Sequence, residues 1–160
     1  MLSASTLADV TVTACDPSSA DAVAMGAALW DEIQSRYGFV ADDPFDPAAF
    51  NGPIGGFWVA MSSDGPVGSI ALAPLEEHVA ELDVMYVAPT HRGAGVAQGL
   101  LAALEEHARR VGVTEVRLRA GDPQPEALQF YAKAGFTQIP AFGRWVGDPT
   151  ARCFARGIEP

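Results

Sequence analysis

Apolar residues recur at spacings of three to four through Val96, Leu100, Leu104, Ala108 and Val111, with Leu101 alongside, while Gln98, Glu105, Glu106, Arg109 and Arg110 take the opposite positions. This is the period of an amphipathic helix, and Gly112 supplies its stop. A second helix is predicted between Pro17 and Tyr37, after a Ser-rich start, with Val23, Gly26, Ala27, Trp30, Ile33 and Tyr37 on one face. Elsewhere the pattern shortens to the alternation and β-branched runs of strands. Asp9 to Ala14, Phe57 to Ser62, Val67 to Leu75, Val79 to Val87 and Thr114 to Ala120 read this way, with late strands near Thr137 to Pro140 and Arg152 to Gly157. Ser63-Asp-Gly-Pro66 is a hairpin turn signal, and a short helix carrying Tyr131 precedes Gly135. From Tyr37 to Gly56 the glycines and prolines break any period, which predicts a loop with at most a short helix at Pro47 to Phe50. No linker or internal repeat interrupts the series. The expectation is one domain over residues 1–160, α/β with a mixed α+β sheet rather than a doubly wound one.

Composition bounds what such a domain does. At 160 residues and 49% hydrophobic content the chain is long enough to bury a core. It has no apolar run of the roughly 18 residues that a membrane span needs. Met1 to Asp9 lacks the basic segment of a secretory leader, so a cytoplasmic protein without a membrane partner is expected. Cys15 and Cys153 stand alone, without CxxC or metal spacing, and read as ordinary thiols; no metal site is expected. A pI near 4.5 argues against nucleic acid. The net charge of −10 is unevenly spread: residues 1–90 hold one basic residue, Arg36, against thirteen acids, and residues 91–160 hold nine basic against seven acidic. A basic second half suits a phosphate-bearing cofactor, and an acidic first half suits a cationic partner.

The most specific chemistry lies where the strand ending at Val87 runs into the helix that begins near Val96. In Arg92-Gly-Ala-Gly-Val-Ala97, Gly93 and Gly95 permit unusual backbone angles and remove Cβ atoms that would hold a ligand away. The free N–H groups and the positive end of the helix dipole then converge on one place, a cradle for phosphate. Glycines used only for tight packing give the same spacing. Arg92 favours the cradle, because a cation at a helix N-terminus disfavours folding but suits a phosphate.

Arg92 to Ala97, after a strand ending Met85-Tyr-Val87, resembles the acetyl-CoA pyrophosphate motif of the GCN5-related N-acetyltransferase (GNAT) superfamily: Gln or Arg, two residues, Gly, one residue, then Gly or Ala. Gln124-Pro-Glu-Ala-Leu-Gln-Phe-Tyr-Ala-Lys-Ala-Gly-Phe136 is similar to the family's second signature, a short helix carrying Tyr and ending in Gly-Phe. The likeness covers roughly residues 56–140. It implies a central, mostly antiparallel sheet of six to seven strands flanked by about four helices. It also implies acetyl-CoA as co-substrate, held by Arg92, Gly93, Ala94, Gly95, Val96 and Ala97, with Met85, Tyr86 and Val87 orienting the pantetheine arm. Glu81, eleven residues before Arg92, matches the catalytic glutamate of histone-acetylating members and is the leading candidate for the general base, and Tyr131 matches the tyrosine that protonates or hydrogen-bonds the departing CoA thiolate, here as its acid. Many members place an asparagine before the Tyr helix; here Gln124 is the candidate substitute.

An unprotonated amine is required for attack, yet a lysine-like amine is almost wholly protonated at pH 7, so a base is useful. Asp83 rivals Glu81, because residues two apart on a strand share a face. A structural role for either acid, or a core role for Tyr131, remains the alternative. The resemblance assigns the acceptor side to Trp30, Tyr37, Phe45, Phe57, Trp58 and Phe142 to Asp148, with Asp42, Asp43 and Asp46 able to receive a cation. The acceptor is expected to be a primary amine of a small molecule or peptide, and a homodimer is possible by analogy. Two other functions compete: an acyl-CoA-binding sensor of the same fold, and an NADP-binding oxidoreductase suggested by Gly93, Gly95 and Gly99. The second is weakened by the five residues between strand and first glycine and by Arg119 where an acid belongs.

Overall fold

In a computed structural model that describes residues 9–160, the alternating segments become seven strands. These are β1 (Thr11–Ala14), β2 (Gly56–Ser62), β3 (Gly65–Glu76), β4 (Val79–Val87), β5 (Glu115–Ala120), β6 (Thr137–Ile139) and β7 (Arg152–Gly157). They form one sheet in the order β1-β2-β3-β4-β5-β7-β6, in which β4 and β5 are the one parallel pair. Among the described residues three α-helices flank it, α1 (Ala20–Tyr37), α2 (Val96–Arg110) and α3 (Pro125–Lys133), where the resemblance implies about four. The broken stretch after α1 holds only a single 3-10 turn at Pro47–Phe50. The reading of the N-terminus lies almost wholly outside the described residues.

Local chemistry sets the boundaries. Helix α1 starts at Ala20 rather than Pro17, because the Asp16 carboxylate accepts from Ser18 and the Ser19 hydroxyl caps Ala22 N–H. It stops where Gly38 turns left-handed at φ 73°. The buried stripe of α1 is Ala22, Met25 and Gly26, one position off the expected face. Val23, expected inward, is 45% exposed, while Trp30, Ile33 and Tyr37 turn toward a cavity instead of the core. Helix α2 buries Val96, Leu100, Leu101, Leu104 and Ala108, as its period predicts.

The pleat of β2 divides the interior in two. Trp58 and Ala60 face α2, with Ile70, Leu72, Val116 and Leu118 beside them. Phe57 and Val59 face α1, with Met25, Phe50 and Ala71. A Cβ on Gly68 would lie 2.9 Å from Tyr86 O and 3.2 Å from Leu100, so that glycine permits the close approach of α2 to the sheet.

The parallel pair does not stay paired along its length. Val79, Ala80 and Glu81 register with Glu115, Val116 and Arg117, and there the β4 to β5 ladder ends. Three residues on, Val84 sits at φ 53°, an outlier for a β-branched residue, in a bulge of the β3 to β4 register. The buried Ser69 hydroxyl donates to Val84 O at 2.7 Å and supplies the partner that the distorted ladder no longer gives. The edge of β4 from Leu82 to Val87 is thus left without a partner strand on the β5 side.

Candidate active site

Two cavities, of about 490 and 470 Å³, lie along this opened edge and share Leu29, Met85, Gln124, Ala127 and Tyr131. Unpaired backbone N–H and C=O groups beside a cavity are a template for an amide-bearing chain, which can add to the edge as a further strand would.

The first cavity contains Met85, Tyr86, Val87, Arg92, Gly93, Gly95, Val96, Ala97 and Gln124, nine of the ten residues expected to hold the cofactor. Ala94 is not part of its wall. Gly93 and Gly95 have φ values of 80° and 85°. A Cβ on Gly93 would meet nothing within 4 Å, so this glycine serves backbone conformation and not close packing. Gly95 is the left-handed N-cap of α2, and no side chain caps the N–H groups that follow. An anion at that point would satisfy donors the protein leaves open and gain from the helix dipole.

Arg92 is anchored rather than free. Its Nε donates to Val87 O at 2.8 Å and its Nη2 to the Glu32 carboxylate on α1. Glu32 also lies 3.6 Å from Arg36 Nε, and Arg36 Nη1 reaches Glu126 at 2.8 Å and Pro123 O at 2.9 Å. The relay ties α1 across the first cavity to both the glycine turn and the start of α3. Glu32, Arg36, His91, Gln98 and Lys133 line this cavity although sequence reasoning singled none of them out for it. Arg36 carried a signal: it is the one Lys or Arg among the first ninety residues.

Glu81 and Asp83 do project together, as their spacing predicts. Arg144 Nη2, from the loop between β6 and β7, lies 3.0 Å from Glu81 Oε2 and 3.3 Å from Asp83 Oδ1. Trp145 Nε1 also donates to Glu81 Oε2, at 3.1 Å. Glu81 is only 6% exposed; Asp83 is part of the second cavity's wall. Burial, followed by the charge and hydrogen bond of Glu81, pushes the Asp83 carboxyl well above its ordinary range, with Arg144 pulling the other way.

Tyr131 is buried where the two cavities join. Burial, with the charge of Asp83 adding, raises its phenol above the usual range, so it keeps its proton. Gln124 stands at the start of α3 with its Oε1 accepting from Tyr37 Oη at 2.8 Å, and Tyr37 Oη in turn accepts from Arg119 Nη1 at 2.8 Å. A Cβ on Gly121 would lie 2.0 Å from that hydroxyl, so the glycine before Asp122 makes room for the network.

Several expected acceptor residues lie elsewhere. Phe57 and Trp58 are 1% and 6% exposed and belong to the two core clusters, Trp58 packing edge-on to His107 at 5.1 Å. Phe142 is buried beside Arg117. Trp30, Tyr37, Phe45, Arg144, Trp145 and Asp148 do line the second cavity, together with Asp43 and Asp46, whose carboxylates accept from Phe45 N–H and Ala48 N–H. Asp42 does not.

A mostly antiparallel sheet whose parallel pair opens beside an uncapped, glycine-led helix defines a mixed α/β fold with a cavity at the split, and one parallel pair does not make a doubly wound dinucleotide fold. The model of the Acetyltransferase (GNAT) family matches residues 26–136, and the chain belongs to that family. It is 35% identical over 94 residues to an IAA acetyltransferase of Azospirillum brasilense, covering 58% of this chain and 61% of that protein. It is 36% identical over 87 residues to N-acetyltransferase family 8 member 2 of Rattus norvegicus, covering 51% and 38%. The matches thus span less than two thirds of either relative. The PaiA N-acetyltransferase of Thermoplasma acidophilum, solved in complex with coenzyme A, superposes with a TM-score of 0.73 at 15% identity, over 92% of this chain and 98% of that one. No helix among the described residues is long and apolar enough to cross a membrane.

Proposed function

We propose that the chain transfers an acetyl group from acetyl-CoA directly to a primary amine. One observation carries the reading: the uncapped start of α2 and the Glu81–Asp83 pair open on two cavities that meet at Met85 and Tyr131. A cofactor with its diphosphate on the Arg92 to Ala97 turn and its amide arm along Met85 to Val87 would bring its thioester to that junction.

The acid pair then takes a proton from the acceptor's ammonium. The uncharged nitrogen attacks the thioester carbonyl, a C–N bond forms, the C–S bond breaks, and the nitrogen releases its second proton to solvent. Asp83 faces the cavity and is the member that meets the amine; Glu81, behind it and held by Arg144 and Trp145, sets its charge. A positioned base of this kind contributes about 10² to 10⁴ in rate. Tyr131 is read differently from a plain acid. Its phenol is weaker than a thiol of pKa about 8.5, so it stabilises the leaving thiolate by donating a hydrogen bond and retains the proton. Gln124, held by Tyr37, keeps its amide N–H groups for the arm of the cofactor.

Thermal unfolding with acetyl-CoA, free CoA and NADP checks the cofactor, and thiol release across a panel of amines checks the transfer. Stabilisation by NADP alone would sink this reading. Stabilisation by acetyl-CoA with no thiol release on any amine would favour the sensor.

A further inference from the structure

The second cavity is an aromatic box built on α1. Trp30 Nε1 donates to Ala41 O at 3.0 Å, and Ala41 N–H donates to Gln34 Oε1 at 2.8 Å, so the loop after Gly38 is laid back along the helix. Phe45 seats over Gly26, where a Cβ would come within 3.1 Å of its ring. Phe39 meets Trp30 edge-on at 5.4 Å and stays 39% exposed. With Phe50 stacked on Phe45 at 6.0 Å, four aromatic rings line the α1 side of the box, among aliphatic residues such as Leu29 and Ile33.

Its charged groups are nearly all engaged within the wall. Asp43 and Asp46 accept from backbone N–H groups. Asp148 accepts from Thr150 N–H and Oγ1 and lies 3.5 Å from Arg119. Arg119 donates to Tyr37 and Thr150 and sits between the Tyr37 and Trp145 rings, at 5.2 and 5.3 Å; its one unpartnered nitrogen, Nε, has no accessible surface. What remains is the Glu81–Asp83 pair, whose one cationic partner among the described residues is Arg144 Nη2, on a side chain 61% exposed and stacked on Trp145 at 4.4 Å, while Trp145 Nε1 donates to Glu81. The box therefore sets one position for a cation, enclosed between Glu81 and Asp83, beside the rings of Trp30, Phe39 and Phe45. Replacing one guanidinium nitrogen by one ammonium keeps the local charge unchanged.

Resting on the acetyl-transfer reading, we infer that the acceptor is a primary amine with a single positive charge on a flat aromatic body, and that its ammonium takes the position Arg144 Nη2 holds between Glu81 and Asp83. The occupant is an arylalkylamine in chemical class.

The test compares 2-phenylethylamine with n-propylamine, spermidine, kanamycin and a lysine-containing peptide, by thiol release and by calorimetric titration of the amines into the protein saturated with free CoA. The ring should raise kcat/KM and affinity over propylamine about tenfold or more, the scale of adding buried apolar groups. Trp30→Ala should collapse that ratio toward one, and Phe45→Leu should do the same if the first variant fails to fold. Equal or better use of spermidine, kanamycin or the peptide overturns the inference, as does a ratio unchanged in a folded Trp30 or Phe45 variant. Should no amine release thiol, the transfer reading fails, and calorimetry alone still decides whether the box prefers the aromatic amine.

Discussion

Ser69 Oγ donates a 2.7 Å hydrogen bond to the carbonyl oxygen of Val84 and so braces the β3–β4 bulge that lies three residues beyond the point where β4 leaves its parallel partner. Ser69 has no exposed surface, so Ser69→Ala removes the donor to the Val84 carbonyl from inside the sheet. The expected cost is about 0.5 to 1.5 kcal/mol of stability, the net contribution of one hydrogen bond. The KM for acetyl-CoA should also rise, because the freed edge of β4 loses its shape. Chemical denaturation and steady-state kinetics on the same variant check both; a stable variant with unaltered KM would show that the bulge holds without Ser69.

Gly95 caps α2 in the left-handed region, and Gly95→Ala should cost about 1 to 2 kcal/mol for placing a Cβ there. The larger effect should fall on the cofactor. Weaker binding of both acetyl-CoA and free CoA, by calorimetry, is expected alongside the loss of stability. A loss of stability without any loss of affinity would return the glycines to a purely structural role.

Glu32 pairs with Arg92, the cation of the glycine turn, and so competes with any diphosphate for it. Glu32→Gln should tighten CoA binding severalfold, with the effect shrinking as salt is added, since the pair is partly exposed. Weaker binding in the variant would mean that Glu32 orients Arg92 rather than opposing the ligand.

The raised Asp83 carboxyl gives a pH dependence with a definite sign. The folded state binds this proton more tightly than an unfolded chain of pKa about 3.9, so its stabilising effect is complete below that value and fades as pH rises through the folded pKa. Asp83→Asn should therefore raise Tm at pH 8 relative to the parent protein, less so near pH 5, while thiol release falls. The acid limb of kcat/KM should lie above the ordinary carboxylate range, and Arg144→Gln should move it higher, since Arg144 lowers the Asp83 pKa. A limb moved down, or no dependence of the Tm difference on pH, contradicts the assignment.

Much of this molecule was legible as local pattern. The period of α2, the alternation of β2 and β3, the turn at Arg92 to Ala97 and the shared face of Glu81 and Asp83 each depend on residues close in the chain, whose geometry follows from 3.6-fold or two-fold repeats and from glycine's freedom at φ near 80°. The core face of α1 lies one residue from the predicted one because Ala22 and Met25 pack on the sheet while Trp30, Ile33 and Tyr37 face a cavity, a division that periodicity does not see. Phe57 and Trp58 look alike in sequence to Trp30 and Phe45, yet a strand in the middle of a sheet buries both of its faces, while a helix beside an open edge keeps one for a cavity.

What tertiary structure alone decided are meetings across long separations. Arg144 and Trp145 reach Glu81 from more than sixty residues away, Glu32 reaches Arg92 from sixty, and Tyr37 reaches Gln124 from eighty-seven. No period or spacing encodes such contacts, because they follow from the order of strands in the sheet and from where β4 and β5 part. The sequence by itself determined an acetyltransferase-family chain with a left-handed glycine turn at a helix start; the split sheet decided which acid faces the cavity, what partners it, and which aromatic rings stand beside it.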